Sequence, residues 1–149
     1  MNRPGTPTRP AHLRVPLIGL VILGGTAGTA VRNLLETRFA PPVGQFPWPT
    51  LVINVTGAFL LGLLLELIAS SDLAPQRRRA LQLTLGTGLM GGYTTYSTFV
   101  LETINLDRNG GRLMAFGYLT ASLVLGFVAA LVAMNTTRAL VSSGKGGRQ

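Results

Sequence analysis

The stretch GTGLMGGYTTYSTF, from Gly86 to Phe99, decides how this chain can fold. It lies within Ala80 to Leu101, a run that contains no Asp, Glu, Lys or Arg. The adjacent glycines Gly91 and Gly92, with four Thr or Ser residues among the six that follow, disfavour an uninterrupted helix. Inside a bilayer, a helix break is tolerated only where protein or a water-filled cavity satisfies the freed backbone groups. The stretch therefore predicts a membrane helix that is broken near its middle, with an ion site at the break.

Three further runs have no charged residue, from Val15 to Val31, from Phe39 to Leu65 and from Leu113 to Thr137. Each is suited to crossing a bilayer, which takes roughly 20 apolar residues. Only 12% of the 149 residues are charged, where a soluble domain carries about 25%. We therefore predict an all-α integral membrane protein with four transmembrane helices, over residues of about 15–35, 48–70, 79–102 and 112–137.

The two ends of the chain differ in composition from the runs between them. Residues 1–14 are rich in Pro, Arg and Thr, and the last residues, from Ser142 to Gln149, are small and polar. Neither end offers much apolar surface to bury, so we expect disordered tails at residues 1–14 and 138–149. A single membrane domain, residues 15–137, lies between them.

A cleaved signal peptide is an alternative interpretation of the first run, because three arginines precede it and small residues follow Leu23. The run is also rich in glycine and ends in Arg32 and Asn33, which is unusual for a signal peptide and its cleavage site. We therefore expect the run to be the first membrane span.

The basic residues are unevenly divided between the two sides of the membrane. A net charge of +8 would suggest nucleic-acid binding in a soluble protein, but here the basic residues lie outside the apolar runs. The two ends and the loop that contains Arg77 to Arg79 share one side and hold nine of the 13 Lys and Arg residues, against four on the other side. The positive-inside rule then places both termini in the cytoplasm.

The chain lacks the residue sets that catalytic and thiolate metal sites need. It has no cysteine, its only histidine is His12 in the first predicted tail, and Glu66 and Glu102 lie at the ends of spans. Enzyme functions are therefore left without catalytic groups. Four short helices also make too thin a bundle to enclose a wide pore, so we expect the chain to act together with a second chain.

Asn54 and Arg32 are polar residues in or beside the apolar runs, and each allows two interpretations. The amide of Asn54 is costly in lipid unless it is paired or faces water, so it either bonds another helix or offers N–H donors to an anion. Arg32 ends the first span, where it either extends to the interface or lines a vestibule that attracts anions. The glycines of the first two spans predict close helix packing.

Two further sets of residues could form a polar path. Tyr118 and Ser122 lie four residues apart and so share one face of the fourth helix. Their hydroxyls either bond backbone carbonyls within the helix or form a polar stripe along it. Tyr96 and Phe99 follow the predicted break, and their rings either pack in a core or direct positive edges at an anion.

Four segments taken together resemble the CrcB/Fluc family of fluoride channels. They are GGTAGTAVRN from Gly24, NVTGAFLLG from Asn54, GGYTTYSTF from Gly91, and Tyr118 with Ser122, so the resemblance covers all four spans in order. The third segment is the most specific, because membrane composition alone does not explain its double glycine and the hydroxyl and aromatic residues after it.

The resemblance implies a passive fluoride channel that exports cytoplasmic fluoride across the bacterial inner membrane and so lowers its toxicity. It also implies an antiparallel, dual-topology homodimer with two fluoride pathways and a structural Na⁺ that is not transported. By position, the backbone carbonyls of Gly91 and Thr94 would bind Na⁺. In the fluoride pathway, Asn54 would be a pore donor, Phe99 and Tyr96 would form the aromatic box, and Tyr118 and Ser122 would form the polar track. Thr98 and Arg32 are also expected to belong to the pathway.

Tyr96 departs from the family pattern, which commonly has Phe there, and adds a hydroxyl beside the aromatic box. Two alternative functions belong to other classes of protein. A small proton-coupled multidrug exporter can also be a dimer of four-helix chains, but it needs an acid inside the membrane, and the first span has none. A structural membrane protein is the other alternative, and only the motifs argue against it.

Overall fold

A computed structural model describes residues 15–42 and 44–146, so the predicted tail at residues 1–14 lies outside the described residues. All the regular structure in the described residues is helical, as predicted. The elements in chain order are α1 (Val15–Arg38), α2 (Trp48–Ser70), α3 (Pro75–Leu81), a π-helical segment (Gln82–Met90), α4 (Gly91–Tyr93), α5 (Ser97–Arg108) and α6 (Arg112–Gly146).

Three stretches of helix in the described residues are long and apolar enough to cross a membrane by themselves. They are Pro16–Arg38, Trp48–Ser70 and Arg112–Ser143. The predicted third span corresponds to the segment from Pro75 to Arg108, which is divided into several pieces. A composite element of this kind is tolerated in a bilayer only where its freed backbone groups find partners.

The predicted interruption is present, but it lies slightly later in the chain than the double glycine. Gly91 and Gly92 are still helical, and the chain becomes extended at Thr94, whose φ and ψ are −79° and 159°. A Cβ atom built on Gly92 would overlap the carbonyl oxygen of Gly25, and one built on Gly28 would overlap that of Leu89. The glycines therefore let α1 and the divided segment approach closely, while the backbone opens over residues 94–96.

Helices α2 and α6 pack along one another through small residues and end in an ion pair. Gly62 faces Ala130 and Ala133, where a Cβ atom on the glycine would lie 2.8 Å from the carbonyl oxygen of Ala130. The guanidinium of Arg138 bonds both carboxylate oxygens of Glu66, with Nε to Oε1 at 3.2 Å and Nη2 to Oε2 at 3.1 Å. This pair fixes the two helices at the end opposite the α5–α6 turn.

The last helix continues to Gly146, so residues 138–146 are helical where a disordered tail was predicted. Arg138 is held in place by its contact with Glu66. The hydroxyls of Ser142 and Ser143 both bond the carbonyl of Ala139, at 2.9 and 3.0 Å. Small polar residues therefore extend a helix that tertiary contacts have already fixed. Composition alone does not report such contacts.

A buried cluster joins α2, α5 and α6 near the α5–α6 turn. At that turn Gly110 has a φ of +80°, and the N–H of Gly111 bonds the carbonyl of Leu106 at 2.9 Å. This is the Schellman arrangement, in which a glycine takes the left-handed conformation that ends a helix. The turn brings α5 and α6 together around the cluster, whose members are Leu51, Phe99, Leu106, Ala115 and Tyr118.

Candidate ion site at the helix break

A cavity of about 400 Å³ lies beside the break at residues 94–96. Its walls come from α2, from the segment around the break and from α6. Most of the predicted site residues line this cavity, although they are spread over nearly half of the chain. Those that line it are Asn54, Gly91, Thr94, Tyr96, Phe99 and Ser122.

Asn54 holds the break open through two hydrogen bonds to the backbone of one residue. Its Nδ2 donates to the carbonyl of Thr95 at 2.9 Å, and its Oδ1 accepts the N–H of Thr95, also at 2.9 Å. The backbone N–H has to face the side-chain oxygen, so these bonds also fix the orientation of the amide. The predicted interhelical bond is therefore present. One N–H of Asn54 is left over as a donor beside the cavity.

Thr95 and Thr98 cap the start of α5 together. The hydroxyl of Thr95 accepts the backbone N–H of Thr98 at 3.2 Å and donates to the hydroxyl of Thr98 at 3.0 Å. The first N–H groups of a helix have no partner within it, and a threonine side chain commonly supplies one. Thr98 therefore takes part in a cap and is not among the residues that line the cavity.

The two predicted aromatic residues lie in contrasting environments. Their ring centroids are 6.2 Å apart, but Phe99 is 7% exposed and Tyr96 is 79% exposed. Phe99 packs against Tyr118 at a centroid distance of 5.2 Å, so its ring is both a wall of the cavity and part of the core. Tyr96 projects from the surface of the single chain, and no hydrogen bond of its hydroxyl occurs within the described residues.

Tyr118 is fully buried, and its hydroxyl is bonded to Glu102, an acid that was expected only to lie at the end of a span. Tyr118 donates to Oε2 of Glu102 at 2.7 Å, and Thr50 donates to Oε1 of the same carboxylate at 2.8 Å. The proton of Tyr118 is therefore engaged and is not a free donor. The sequence could have indicated this contact, because Glu102 lies three residues after Phe99 and therefore on the same side of α5.

Ser122 has a free hydroxyl in this region. The residue is 8% exposed and lines the cavity, and its Oγ has no hydrogen-bond partner in the described part of the chain. A buried polar atom without a partner costs about 1–3 kcal/mol, so this hydroxyl is available to a ligand in the cavity. Tyr118 and Ser122 share a face as predicted, but only Ser122 reaches the cavity.

The carbonyl groups around the break differ in their partners. The oxygen of Gly92 accepts from Nε of Arg32 at 3.2 Å and, more distantly, from the hydroxyl of Thr29 at 3.4 Å. The oxygens of Gly91 and Thr94 accept no hydrogen bond from the residues that the structure describes. Both of these residues line the cavity, so their carbonyls are available to a ligand.

Arg32 is bonded to two groups within the chain, one on the break and one on α1. Its guanidinium points at the break, and its Nη1 pairs with Oε2 of Glu36 at 3.5 Å, with both side chains about four-fifths buried. Arg32 is not among the residues that line the cavity. Two separate helices therefore contact the break, α1 through Arg32 and α2 through Asn54.

The site also lacks the ligand set of a transition metal. Among the described residues, no group of three or more His, Cys, Asp or Glu side chains lies close enough to hold a metal ion. The available oxygens belong to backbone carbonyls and a hydroxyl, which are ligands for hard cations. The arrangement can bind a small anion by N–H, O–H and a ring edge, and a hard cation by carbonyl oxygens.

Comparison with known proteins identifies a group of similar chains. The sequence profile of the family described as CrcB-like protein, Camphor Resistance (CrcB), matches residues 19–134. The protein named fluoride-specific ion channel FluC 1 of Cutibacterium acnes is 38% identical over 128 residues, which is 86% of this chain and 90% of the relative. The FluC of a Hydrogenobaculum species is 45% identical over 108 residues, 72% of this chain and 86% of its own. The FluC of Agrobacterium fabrum is 39% identical over 126 residues, 83% and 97% of the two chains.

Proposed function

This chain belongs to the CrcB-like family, and from that membership we propose that it is a fluoride-selective ion channel. It is a multi-pass membrane protein, and its relatives are named as ion channels rather than as enzymes. The resemblance first seen in four motifs is confirmed by matches that cover most of the chain. We further propose that the channel is passive and exports fluoride from the cytoplasm across the bacterial inner membrane.

The observation that best supports this function is the buried, unbonded hydroxyl of Ser122 in the same cavity as Asn54 and Phe99. Fluoride is small and strongly hydrated, so a selective pore has to replace its water with several close donors. The hydroxyl, the remaining N–H of Asn54 and the edge of Phe99 are donors of this kind. They carry no full positive charge, so they bind the ion weakly enough to release it.

We propose that the fluoride pathway extends beyond the cavity along the predicted residues. Tyr118 lies one turn before Ser122 on α6, with its hydroxyl bonded to Glu102. Its hydroxyl can donate to a fluoride ion only if it gives up its hydrogen bond to Glu102. The roles of Thr98 and Arg32 in the pathway stay predictions, because their hydrogen bonds engage them with the backbone around the break.

Four membrane passes and an antiparallel dual-topology homodimer are part of the proposal. The composite element from Pro75 to Arg108 would be the third pass. The cavity contains polar groups, and Tyr96 beside it is 79% exposed on the single chain. Lipid cannot satisfy polar groups at this depth, so a second copy has to cover them. An antiparallel second copy would place an equivalent pathway on each side of the dimer axis.

We also propose a structural Na⁺ at the break, held by the carbonyls of Gly91 and Thr94 in each subunit. Their oxygens have no hydrogen-bond donor among the described residues, and unwound membrane segments commonly coordinate Na⁺ in this way. Bound Na⁺ would supply the charge that holds the two breaks together. We expect that it is not transported.

Fluoride efflux from proteoliposomes, measured with a fluoride electrode, tests the proposed function. The purified channel should release fluoride far faster than protein-free liposomes and should release chloride no faster than they do. Equal fluoride and chloride rates would reject a selective channel. Efflux that requires an opposing proton gradient would instead favour an exchanger.

A further inference from the structure

The contact between Arg32 and Gly92 joins a charged side chain of α1 to the backbone of the break. Nε of Arg32 donates to the carbonyl of Gly92 at 3.2 Å. Gly92 is pressed against α1, since a Cβ atom at this position would overlap the carbonyl of Gly25. The carbonyl of Gly92 lies in the last turn before the chain becomes extended at Thr94, so it has no partner further along a continuous helix. Arg32 supplies that partner.

Glu36 balances the charge of Arg32 one helical turn away. Nη1 of Arg32 and Oε2 of Glu36 are 3.5 Å apart, and their side chains are 21% and 22% exposed. Oε1 of Glu36 is buried and has no hydrogen-bond partner within the described residues. The pair therefore presents a directed N–H to the break with little net charge. Without Glu36, a full positive charge would lie beside the carbonyls that are available to a cation.

The break is held from both sides, and the two contacts determine which carbonyls stay free. On the α1 side Arg32 engages Gly92, and on the α2 side Asn54 engages both backbone groups of Thr95. The oxygens of Gly91 and Thr94, the residues directly before Gly92 and Thr95 in the chain, are left without donors from the described residues.

We propose that Arg32 is a positioning residue for the cation site: with its charge balanced by Glu36, it fixes the backbone at Gly92 so that the carbonyls of Gly91 and Thr94 remain free to bind Na⁺. The inference rests on the Na⁺ site of the proposed function. It assigns a role to Arg32 and Glu36, an ion pair without net charge that lies outside that site. It differs from a role in attracting fluoride, in which the charge of Arg32 itself would be needed.

The test measures the thermal stability of the purified channel in detergent as Na⁺ replaces N-methyl-D-glucamine at constant chloride. The wild type should become more stable with Na⁺ and give a half-saturating concentration. Glu36→Gln keeps the shape and the acceptor of the pair but leaves the charge of Arg32 unbalanced. It should raise the half-saturating Na⁺ concentration on the order of tenfold, as one extra charge several ångströms from the ion requires.

Asp107→Asn is the matched control for the loss of an acid. Asp107 pairs with Arg112 at 3.2 Å at the exposed α5–α6 turn, so the variant adds the same charge away from the break. Its half-saturating Na⁺ concentration should equal that of the wild type. A tenfold rise in this variant as well would show that only overall charge matters and would overturn the proposal.

Arg32→Gln distinguishes a positioning role of Arg32 from an effect of its charge, because the two predict opposite changes in Na⁺ affinity. Removal of a positive charge would by itself tighten Na⁺ binding, whereas loss of the contact with Gly92 frees the backbone and should weaken it severalfold. Arg32→Lys keeps the charge but cannot bond Gly92 and Glu36 with the same fork, so it should give an intermediate value. Tighter binding by Arg32→Gln would contradict the positioning role.

Two outcomes distinguish failure of the inference from failure of the Na⁺ site. A wild type stabilised by Na⁺, with Glu36→Gln unchanged in its half-saturating concentration, would overturn the inference alone. A wild type that Na⁺ stabilises no more than N-methyl-D-glucamine would overturn the Na⁺ site, and the inference with it. If Arg32→Gln does not fold, Glu36→Gln still tests the inference. It is expected to fold, because it keeps Arg32 as the donor to the carbonyl of Gly92.

Discussion

The hydroxyl of Tyr118 and the carboxylate of Glu102 are joined by a 2.7 Å hydrogen bond in the buried cluster between α5 and α6. Thr50 donates to the other carboxylate oxygen from α2, so the acid links three helices. Glu102 is half-buried, and a carboxylate in such a place that loses one of its donors is left partly unsatisfied, which costs stability. The stability of the cluster and the state of the Tyr118 hydroxyl therefore depend on each other.

Tyr118→Phe should lower the free energy of unfolding by about 1–3 kcal/mol, because it removes a donor from the half-buried carboxylate of Glu102. It should also slow fluoride efflux. Chemical denaturation in detergent and the electrode assay measure the two effects. The matched control is Tyr96→Phe, which removes a hydroxyl that has no partner among the described residues. Equal destabilisation by the two variants would contradict the role of the Glu102 bond.

Asn54→Asp should abolish fluoride efflux for two reasons. A carboxylate at this position repels the anion, and one of its oxygens would replace the Nδ2 group that donates to the carbonyl of Thr95. The other oxygen can still accept the N–H of Thr95, so the break should keep its shape and the proposed dimer should still assemble. Efflux is measured with the electrode and assembly by size-exclusion chromatography. Efflux at the wild-type rate would argue against Asn54 as a pore donor.

Ser122→Ala should reduce fluoride efflux without reducing stability. Its hydroxyl has no hydrogen-bond partner in the described residues, so removal of the hydroxyl leaves no other group unsatisfied. The free energy of unfolding should stay within about 0.5 kcal/mol of the wild type or rise. Thr137→Ala is the contrasting control, since Thr137 is buried but bonds the carbonyl of Ala133 at 2.7 Å. Loss of stability with unchanged efflux in Ser122→Ala would contradict the assignment.

Gly92→Ala should destabilise the channel by about 1–3 kcal/mol or prevent folding, because the added methyl group would overlap the backbone of α1. Gly91→Ala is the control from the neighbouring position. A Cβ atom there meets nothing within 4 Å, and the residue is helical. Denaturation of the two variants separates them. Similar stability of both would show that the close approach of α1 to the third span is not required.

A single cysteine at position 72 should react with a membrane-impermeant thiol reagent from both sides of the membrane. The natural chain has no cysteine, and Asp72 is exposed in the connection between α2 and α3. An antiparallel homodimer places one copy of this connection on each side, so half of the sites should label in sealed cells and the rest after lysis. Labelling from one side only, in a channel that still conducts fluoride, would reject the antiparallel arrangement.

Several features of the fold follow from local patterns and were correctly predicted. The predicted second span, residues 48–70, has the same bounds as α2, because a proline-rich connection precedes it and a long apolar run fills it. The glycines of α1 were expected to allow close packing, and Gly24 and Gly28 do face the backbone of the third span. Each of these inferences needs only residues that are near one another in the chain.

The partners of the polar side chains were not predictable in this way. Asn54 bonds Thr95 across 41 positions, Arg32 bonds Gly92 across 60, and Tyr118 bonds Glu102 across 16. The sequence left Asn54 and Arg32 each with two interpretations. The structure adds a contact that neither interpretation contained: the close packing of α1 against the segment from Gln82 to Tyr93 brings the carbonyl of Gly92 within reach of Arg32.

Hydropathy, glycine pairs and helical period are local properties, so the amino-acid sequence was enough to identify an all-helical membrane protein of the CrcB-like family with an interrupted helix after Ala80. The position at which that helix opens, residues 94–96, depends on tertiary contacts. Those contacts also decided which hydroxyls and carbonyls stay unbonded. The physical reason is that a polar group in a membrane protein takes the nearest available partner, and the packing of distant helices determines which partner is nearest.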